Sequence, residues 1–278
     1  MTQEDQLDNI GIVDASLDSQ HALRSMLAGR PAQAELALDS TRQPCFRIRA
    51  ADSLRERRSA SGLVDRMYAT RGYQTTSLPD EDSPDRKTFL ASDHNVPVGT
   101  LTIGFDSSEG LLADDLFANE VGRFRQDGLQ ICEFTKLAMD RRARSPRLLA
   151  SLFHVAYIYA HKIKNFHNLL IEVNPRHVRY YEAMLGFKII AAQRHNFRVN
   201  APAMLLCLDL CYAERQIHKF GGKPEMSATE RSAYPYFFAS NDEAGIIARL
   251  HRTDEDIAHV FEAIPTNNSA PRAERPLH

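Results

Sequence analysis

The 278-residue sequence has no tryptophan, four cysteines and a formal net charge of −2. Each scarcity excludes something. Cys45, Cys132, Cys207 and Cys211 form no paired C-x-x-C knuckle, so neither a zinc site nor a disulfide framework is expected, and the thiols read as buried and free. The small net charge says nothing about partners and leaves only local clusters to argue from. A run of eighteen apolar residues is missing, so no transmembrane helix is expected. The acidic N-terminal stretch has neither the basic region nor the apolar core of a signal peptide, and the protein is expected to be cytoplasmic.

What is present concentrates in the middle. Residues 1–43 are rich in Asp, Ser, Gln and Ala and read as a partly disordered polar tail. Residues 44–214 carry dense apolar runs bounded by Gly, Pro and Asn, long enough to bury a core. Residues 215–278 are polar again, a C-terminal extension of unknown role in which DEAGIIARLHRTDEDIAHVFEAI has the spacing of one amphipathic helix.

Within the core, FRIRAA suggests a strand and Asp52 to Tyr73 a helix. RKTFLASD, the turn HNVP and VPVGTLTIGFD read as a β-hairpin. A helix over 113–126 with Gly128 as C-cap leads to the strand GLQICEFTKLAMD. A basic loop, RRARS, precedes Pro146 and a long amphipathic helix. LLIEV then breaks at Asn174-Pro175, a short helix carries Tyr180 and Tyr181, and two more strands follow. Hairpins force antiparallel pairs and strand-helix-strand units parallel ones, so the fold class is α/β with a mixed sheet.

Six segments in this order, MYATRGY, VGTLTIGFDSSEGLLADDLF, ICEFTKLAMD, RLLASLFHVAYIYA, IEVNPRHVRYYEAMLGF and NFRVNAPAMLLCLDL, resemble the GCN5-related N-acetyltransferase (GNAT) superfamily. Within it they look most like the long-chain N-acyl amino acid synthases, relatives of the acyl-homoserine-lactone synthases. The resemblance implies the GNAT fold and an N-acyltransferase. It also implies that the two central parallel strands diverge, with the pantetheine arm of an acyl thioester lying in the gap. The expected co-substrate is acyl-phosphopantetheine on acyl carrier protein, or acyl-coenzyme A, with no tightly bound cofactor. The expected acceptor is a small amino acid or amine. Ligands of parallel strands sit beyond their carboxyl ends, which is where Asn174 falls.

Coenzyme A users of this superfamily carry a glycine-rich loop before the long helix. Here the stretch reads RRARSPRLLA, with Ser145 and Arg147 where glycines would stand. Ser145 as N-cap and Pro146 as first helical residue make a clean helix start but a poor diphosphate cradle. Lys136, Arg141, Arg142, Arg144 and Arg147 against Asp140 leave a local charge of +4. Such a collar suits one phosphodiester and an acidic acyl carrier protein; the alternative is a solvated basic loop. Nucleic acid fits less well, since no stacking platform accompanies the patch. The expected pantetheine-binding set is Lys136, Leu137, Arg142, Arg144, Arg147 and Asn174, Asn174 being equally suited to cap the next helix.

For chemistry, Glu133 stands in the middle of an apolar strand, where an unpaired carboxylate is costly. It is the candidate base or amine anchor, and Glu133-Phe134-Thr135-Lys136 resembles the E-x-S/T-R/K element of the homoserine-lactone synthases. A structural ion pair is the competing reading. Tyr181 is the candidate acid for the leaving thiolate, although its spacing to Gly186 is one residue longer than usual and core packing competes. His177 reads as exposed, and no histidines pair as metal ligands.

Overall fold

The computed structural model describes residues 46–70, 83–143, 145–197 and 200–262, with side chains to residue 252. The expected tail over 1–43, Cys45 and Arg144 lie outside the described residues.

Among the described residues seven strands form one mixed sheet: β1 (Arg47–Ala50), β2 (Arg86–Asp93), β3 (Val96–Phe105), β4 (Ile131–Met139), β5 (Asn168–Val173), β6 (Lys188–Asn196) and β7 (Ala201–Asp209). Their order is β1-β2-β3-β4-β5-β7-β6. Only β4 and β5 pair in parallel; the others pair antiparallel. The hairpin turn places His94 and Asn95 at φ +47° and +67°, the left-handed geometry that tight two-residue turns demand.

Among the described residues there are six α-helices, and all but one follow from local signals. Ser53 caps α1 (Leu54–Ala69) in a capping box with Glu56. Ser145 caps α3 (Pro146–Tyr157), accepting the Leu148 N–H at 3.1 Å, with Pro146 in the first turn as expected. The helical path of α3 continues as a π-helical turn, Ile158–Ile163. Helix α4 (Val178–Leu185) stops at Gly186, whose φ of +81° and contact with Tyr212 leave no room for a side chain. Asp209 caps α5 (Leu210–Phe220), which runs across the expected boundary at 214. The amphipathic pattern of the extension is α6 (Ser240–Glu262).

Helix α2 (Asp114–Gln126) is the exception, because its N-cap residue, Ala113, has no side chain able to cap. That task falls to β4.

The sheet divides two apolar layers. On one face α3, α4 and α5 bury Phe89, Leu101, Ile103, Phe134 and Leu206 together with Tyr234 and Phe237 of the extension. On the other, α2 packs Phe117 and Val121 against Leu170 and Leu205, and α1 packs Leu63, Val64 and Tyr68 against Ala138. Leu101, Ile103 and Phe105 therefore lie across the sheet from Leu111 and Phe117, and the two groups fill separate layers. Cys132 and Cys207 are buried free thiols, and Cys211 is a partly buried one. No helix among the described residues is long and apolar enough to cross a membrane.

Candidate active site

Strands β4 and β5 share only three paired positions, Ile131↔Asn168, Cys132↔Leu169 and Glu133↔Leu170. Beyond Glu133, β4 continues to Met139 and β5 to Val173 without pairing to each other, so the sheet opens at its centre. A bulge enters β4 at the same place: Thr135 opposes Thr102 but Ala138 opposes Thr100, and the intervening Lys136 has φ +50°. A bulge of this kind inserts one residue and re-aims the backbone.

Residues opposite one another in register share a face. Arg86, Gly104 and Glu133 form one such row across β2, β3 and β4, and Thr88, Thr102 and Thr135 form the next. The Thr88 and Thr102 hydroxyls are 2.9 Å apart and the Thr135 hydroxyl donates to the Thr102 carbonyl at 3.5 Å. Leu170 continues the Glu133 row onto β5, and Glu172, two residues on, shares its face. Glu172 is buried and accepts from the Asn196 amide at 2.9 Å. The α1/α2 side of the opening is thus a polar floor inside an apolar layer, with a carboxylate on each diverging strand.

Glu133 is 4% exposed. Its Oε1 accepts the Leu112 N–H at 2.9 Å and its Oε2 the Ala113 N–H at 3.1 Å. A carboxylate at a helix N-terminus meets both unsatisfied donors and the positive end of the dipole. Glu133 therefore ties α2 to the sheet through two backbone donors. Gly104 makes the approach possible, since a Cβ there would lie 2.9 Å from Glu133 Cγ and Oε1. Arg125 secures the same end of α2, binding Asp106 and Asp114 together at 2.6 Å each.

Lys136 is not part of an exposed collar. It is largely buried beside Arg86 and Asp65, and desolvation with the Arg86 charge, partly offset by Asp65, lowers its pKa to about 8. Leu137 is buried on the α3 face of the sheet. Arg142 is exposed, its backbone N–H bonded to Asp140 Oδ1 at 2.9 Å. Arg147 projects from the α3 face that also carries Ser151 and Val155, and these line a cavity against the C-terminal extension.

Asn174 is buried and accepts the Arg176 N–H at 3.1 Å, capping the short turn Pro175–His177. Tyr181 is fully buried among the Phe153, Tyr180 and Phe187 rings. Burial pushes the neighbouring Tyr180 phenol up. His177, expected at the surface, is 2% exposed and accepts from Arg176 Nε at 3.1 Å, because the turn after Asn174 folds it inward. Sequence reasoning missed Glu172 and Asn196. The signal that singled out Glu133, a carboxylate within an apolar strand, is equally present in LLIEV.

A mixed sheet whose central parallel pair parts in this way is the GNAT acyltransferase fold, as the similarity to a solved member of that fold shows. The family model described as N-acyl amino acid synthase FeeM matches residues 59–209, more than half of the chain, and the chain belongs to that family. The solved structure of FeeM, an N-acyl amino acid synthase from uncultured soil microbes, is 29% identical with a TM-score of 0.56, the match covering 62% of this chain and 96% of that one. A GNAT-family acetyltransferase from Streptococcus pneumoniae is 15% identical, TM-score 0.42, over 59% and 99%. The AHL synthase LasI is 10% identical, TM-score 0.41, over 60% and 91%. A search of curated proteins found no match.

Proposed function

We propose that the protein transfers a medium- or long-chain acyl group from acyl carrier protein to the amine of an amino acid. The observation that carries this reading is the opening between β4 and β5 beyond Glu133↔Leu170, flanked by buried carboxylates and a lysine of lowered pKa. Membership of the N-acyl amino acid synthase family supports the reaction class.

In this reading the acyl-pantetheine arm lies in the opening, its thioester beside unpaired β4 backbone whose N–H groups can face the developing oxyanion. The acceptor amine sits on the polar floor. An ionised carboxylate offers about four acceptor sites, so Glu133 can anchor an ammonium while still capping α2. Lys136, with a pKa of about 8, is neutral often enough near that pH to take the amine's proton. The amine nitrogen then attacks the carbonyl carbon, a C–N bond forms and the C–S bond breaks. The thiolate takes its proton from solvent, since Tyr181 is enclosed and the raised Tyr180 phenol is a weaker acid than a free one.

The donor is inferred from the start of α3. Pro146 has no N–H and the Leu148 N–H is committed to Ser145 Oγ, which leaves the Arg147 N–H for an anion in the first turn. One donor with exposed Arg141 and Arg142 nearby suits a single phosphodiester better than a diphosphate. Thiol release measured with dodecanoyl carrier protein and dodecanoyl coenzyme A, each with a panel of amino acids, tests the reading. Turnover with the carrier protein at higher kcat/KM is expected. Turnover confined to acetyl coenzyme A would overturn it.

A further inference from the structure

A second feature lies away from the opening. A cavity of about 810 Å³ lies between edge strand β1, the outer face of α3 and the extension, within the ~300–1,000 Å³ span of small-molecule sites. Its floor is Phe46, Ile48 and Phe89, and its roof is Tyr236, Phe237 and the α6 residues Ile246 and Leu250. The roof lies beyond residue 209, where the family match ends. The apolar stripe of α6 packs Ile246, Ile247 and Leu250 against the main core, and Ile246 and Leu250 line the cavity at the same time.

The charges around it are unequal in their commitments. Asp52 is held by Lys87 at 2.8 Å, and Glu56 is engaged by Ser53 in the α1 capping box. Asp242 sits in the first turn of α6, where the helix dipole favours it. Arg249 lines the cavity too and is engaged, whereas Arg49 of β1 and Arg147 of α3, both exposed at its rim, have no ion-pair partner among the described residues. A cavity with an aromatic and aliphatic wall and, at its rim, two guanidinium groups that have no ion-pair partner among the described residues is complementary to a molecule that is apolar at one end and anionic at the other.

We infer that this cavity binds an amphiphilic carboxylate, its alkyl chain among the aromatic side chains of β1, β2 and the extension and its carboxylate on Arg49 and Arg147. A carboxylate entering an apolar site without such partners would be strongly disfavoured, and guanidinium groups are matched to it in shape as well as charge. The chemistry is shared by a free fatty acid and by an acylated amino acid. The site is distinct from the β4/β5 opening, and its occupancy does not depend on acyl transfer.

The absence of tryptophan makes the test direct. Ile246→Trp, or Leu250→Trp should the first variant fold poorly, places a single indole on the cavity wall. Dodecanoate should shift its emission saturably, and dodecanol should bind at least about tenfold more weakly, as expected for loss of a charge-assisted contact. Adding Arg49→Gln and Arg147→Gln should erase that difference. N-dodecanoylglycine titrated in parallel separates the sources, the tighter of the two acids naming the ligand class. No saturable shift with either acid, or dodecanol binding as tightly as dodecanoate, overturns the inference.

Discussion

Glu133 carries two duties that substitution can separate. Both oxygens accept from backbone donors at the start of α2, and the residue also stands at the point where β4 leaves β5. Glu133→Gln turns one acceptor into a donor facing an N–H and removes a charge from a helix N-terminus. A cost of about 1–3 kcal/mol in urea unfolding is expected, together with a larger fall in kcat than in thermal stability if the acceptor amine is anchored there. Wild-type kcat in a destabilised Glu133→Gln protein would leave only the structural duty. Lys136 makes a prediction of opposite signs. Its pKa is lowered from 10.5 to about 8 chiefly by desolvation, so its charge is carried at a cost in the folded state below about pH 8 and that cost is relieved as pH rises toward 10.5. Lys136→Met should therefore raise Tm at pH 7, with the gain shrinking toward pH 10.5, while lowering kcat/KM and removing a rate increase centred near pH 8. A pH–rate profile unchanged by the substitution would dismiss Lys136 as the base. At this scale a lone carboxylate in an apolar strand is legible in sequence because its burial cost is visible there. Glu172 was legible by the same logic, whereas its partner Asn196 stands 24 positions away and is supplied only by the β5-β7-β6 arrangement. The end of β4 was legible, but the surroundings of Lys136 were not, because Arg86 and Asp65 reach it from β2 and α1, distant in sequence.

At the scale of elements, the mixed sheet and its order of strands and helices follow from periodicity, capping residues and the hairpin. Ser145-Pro146, Gly128 and Gly186 punctuate the chain by backbone chemistry alone. The start of α2 was legible to within one residue, but its cap was not, because Glu133 comes from a strand twenty residues later. Nor was the docking of the extension, which turns on His154 of α3. That ring is fully buried and stacks on Phe237 and Phe238, with centroids at 4.9 and 5.2 Å, and its Nδ1 accepts the Phe238 N–H at 2.9 Å. The neutral ring then carries its proton on Nε2, toward Glu243 at 3.7 Å. Desolvation lowers the His154 pKa below 6.5, with Glu243 opposing in part. A histidine depressed in the folded state contributes stability above the unfolded pKa and loses it as pH falls through the folded value. Protonation also converts the Nδ1 acceptor into a donor facing an N–H. Tm should decline from pH 7 to 5 more steeply in the wild type than in His154→Asn, whose side-chain oxygen can still accept from Phe238. Equal slopes would remove His154 from the account.

For the molecule as a whole, the question is whether the extension is an appendage or part of one cooperative unit. Polarity of the sequence beyond residue 221 suggests an appendage, but composition averages over AYPYFF, and those aromatic residues enter the main core rather than a core of their own. Tyr234 is 2% exposed and donates to the Leu185 carbonyl at 2.7 Å, and the Ala233 N–H reaches the Met184 carbonyl at 2.9 Å, so the segment completes the end of α4. Phe237 is 4% exposed and lies in the same cluster as Phe134, Leu152 and Tyr181. Removing a buried phenylalanine from such a cluster costs about 3–5 kcal/mol. If the extension belongs to the unit, Phe237→Ala should lower the unfolding free energy of the entire protein by that amount, shifting the urea midpoint downward in one transition with an unchanged slope. If it is an appendage, an early low-amplitude step would appear and the main midpoint would stay where it is. The single transition is expected, because the residues that hold the extension are the same residues that hold α3 and α4 against the sheet. It follows that the opening between β4 and β5 and the cavity under α6 rest on one shared core, and Phe237→Ala should weaken carboxylate binding in the cavity and thiol release at the opening together.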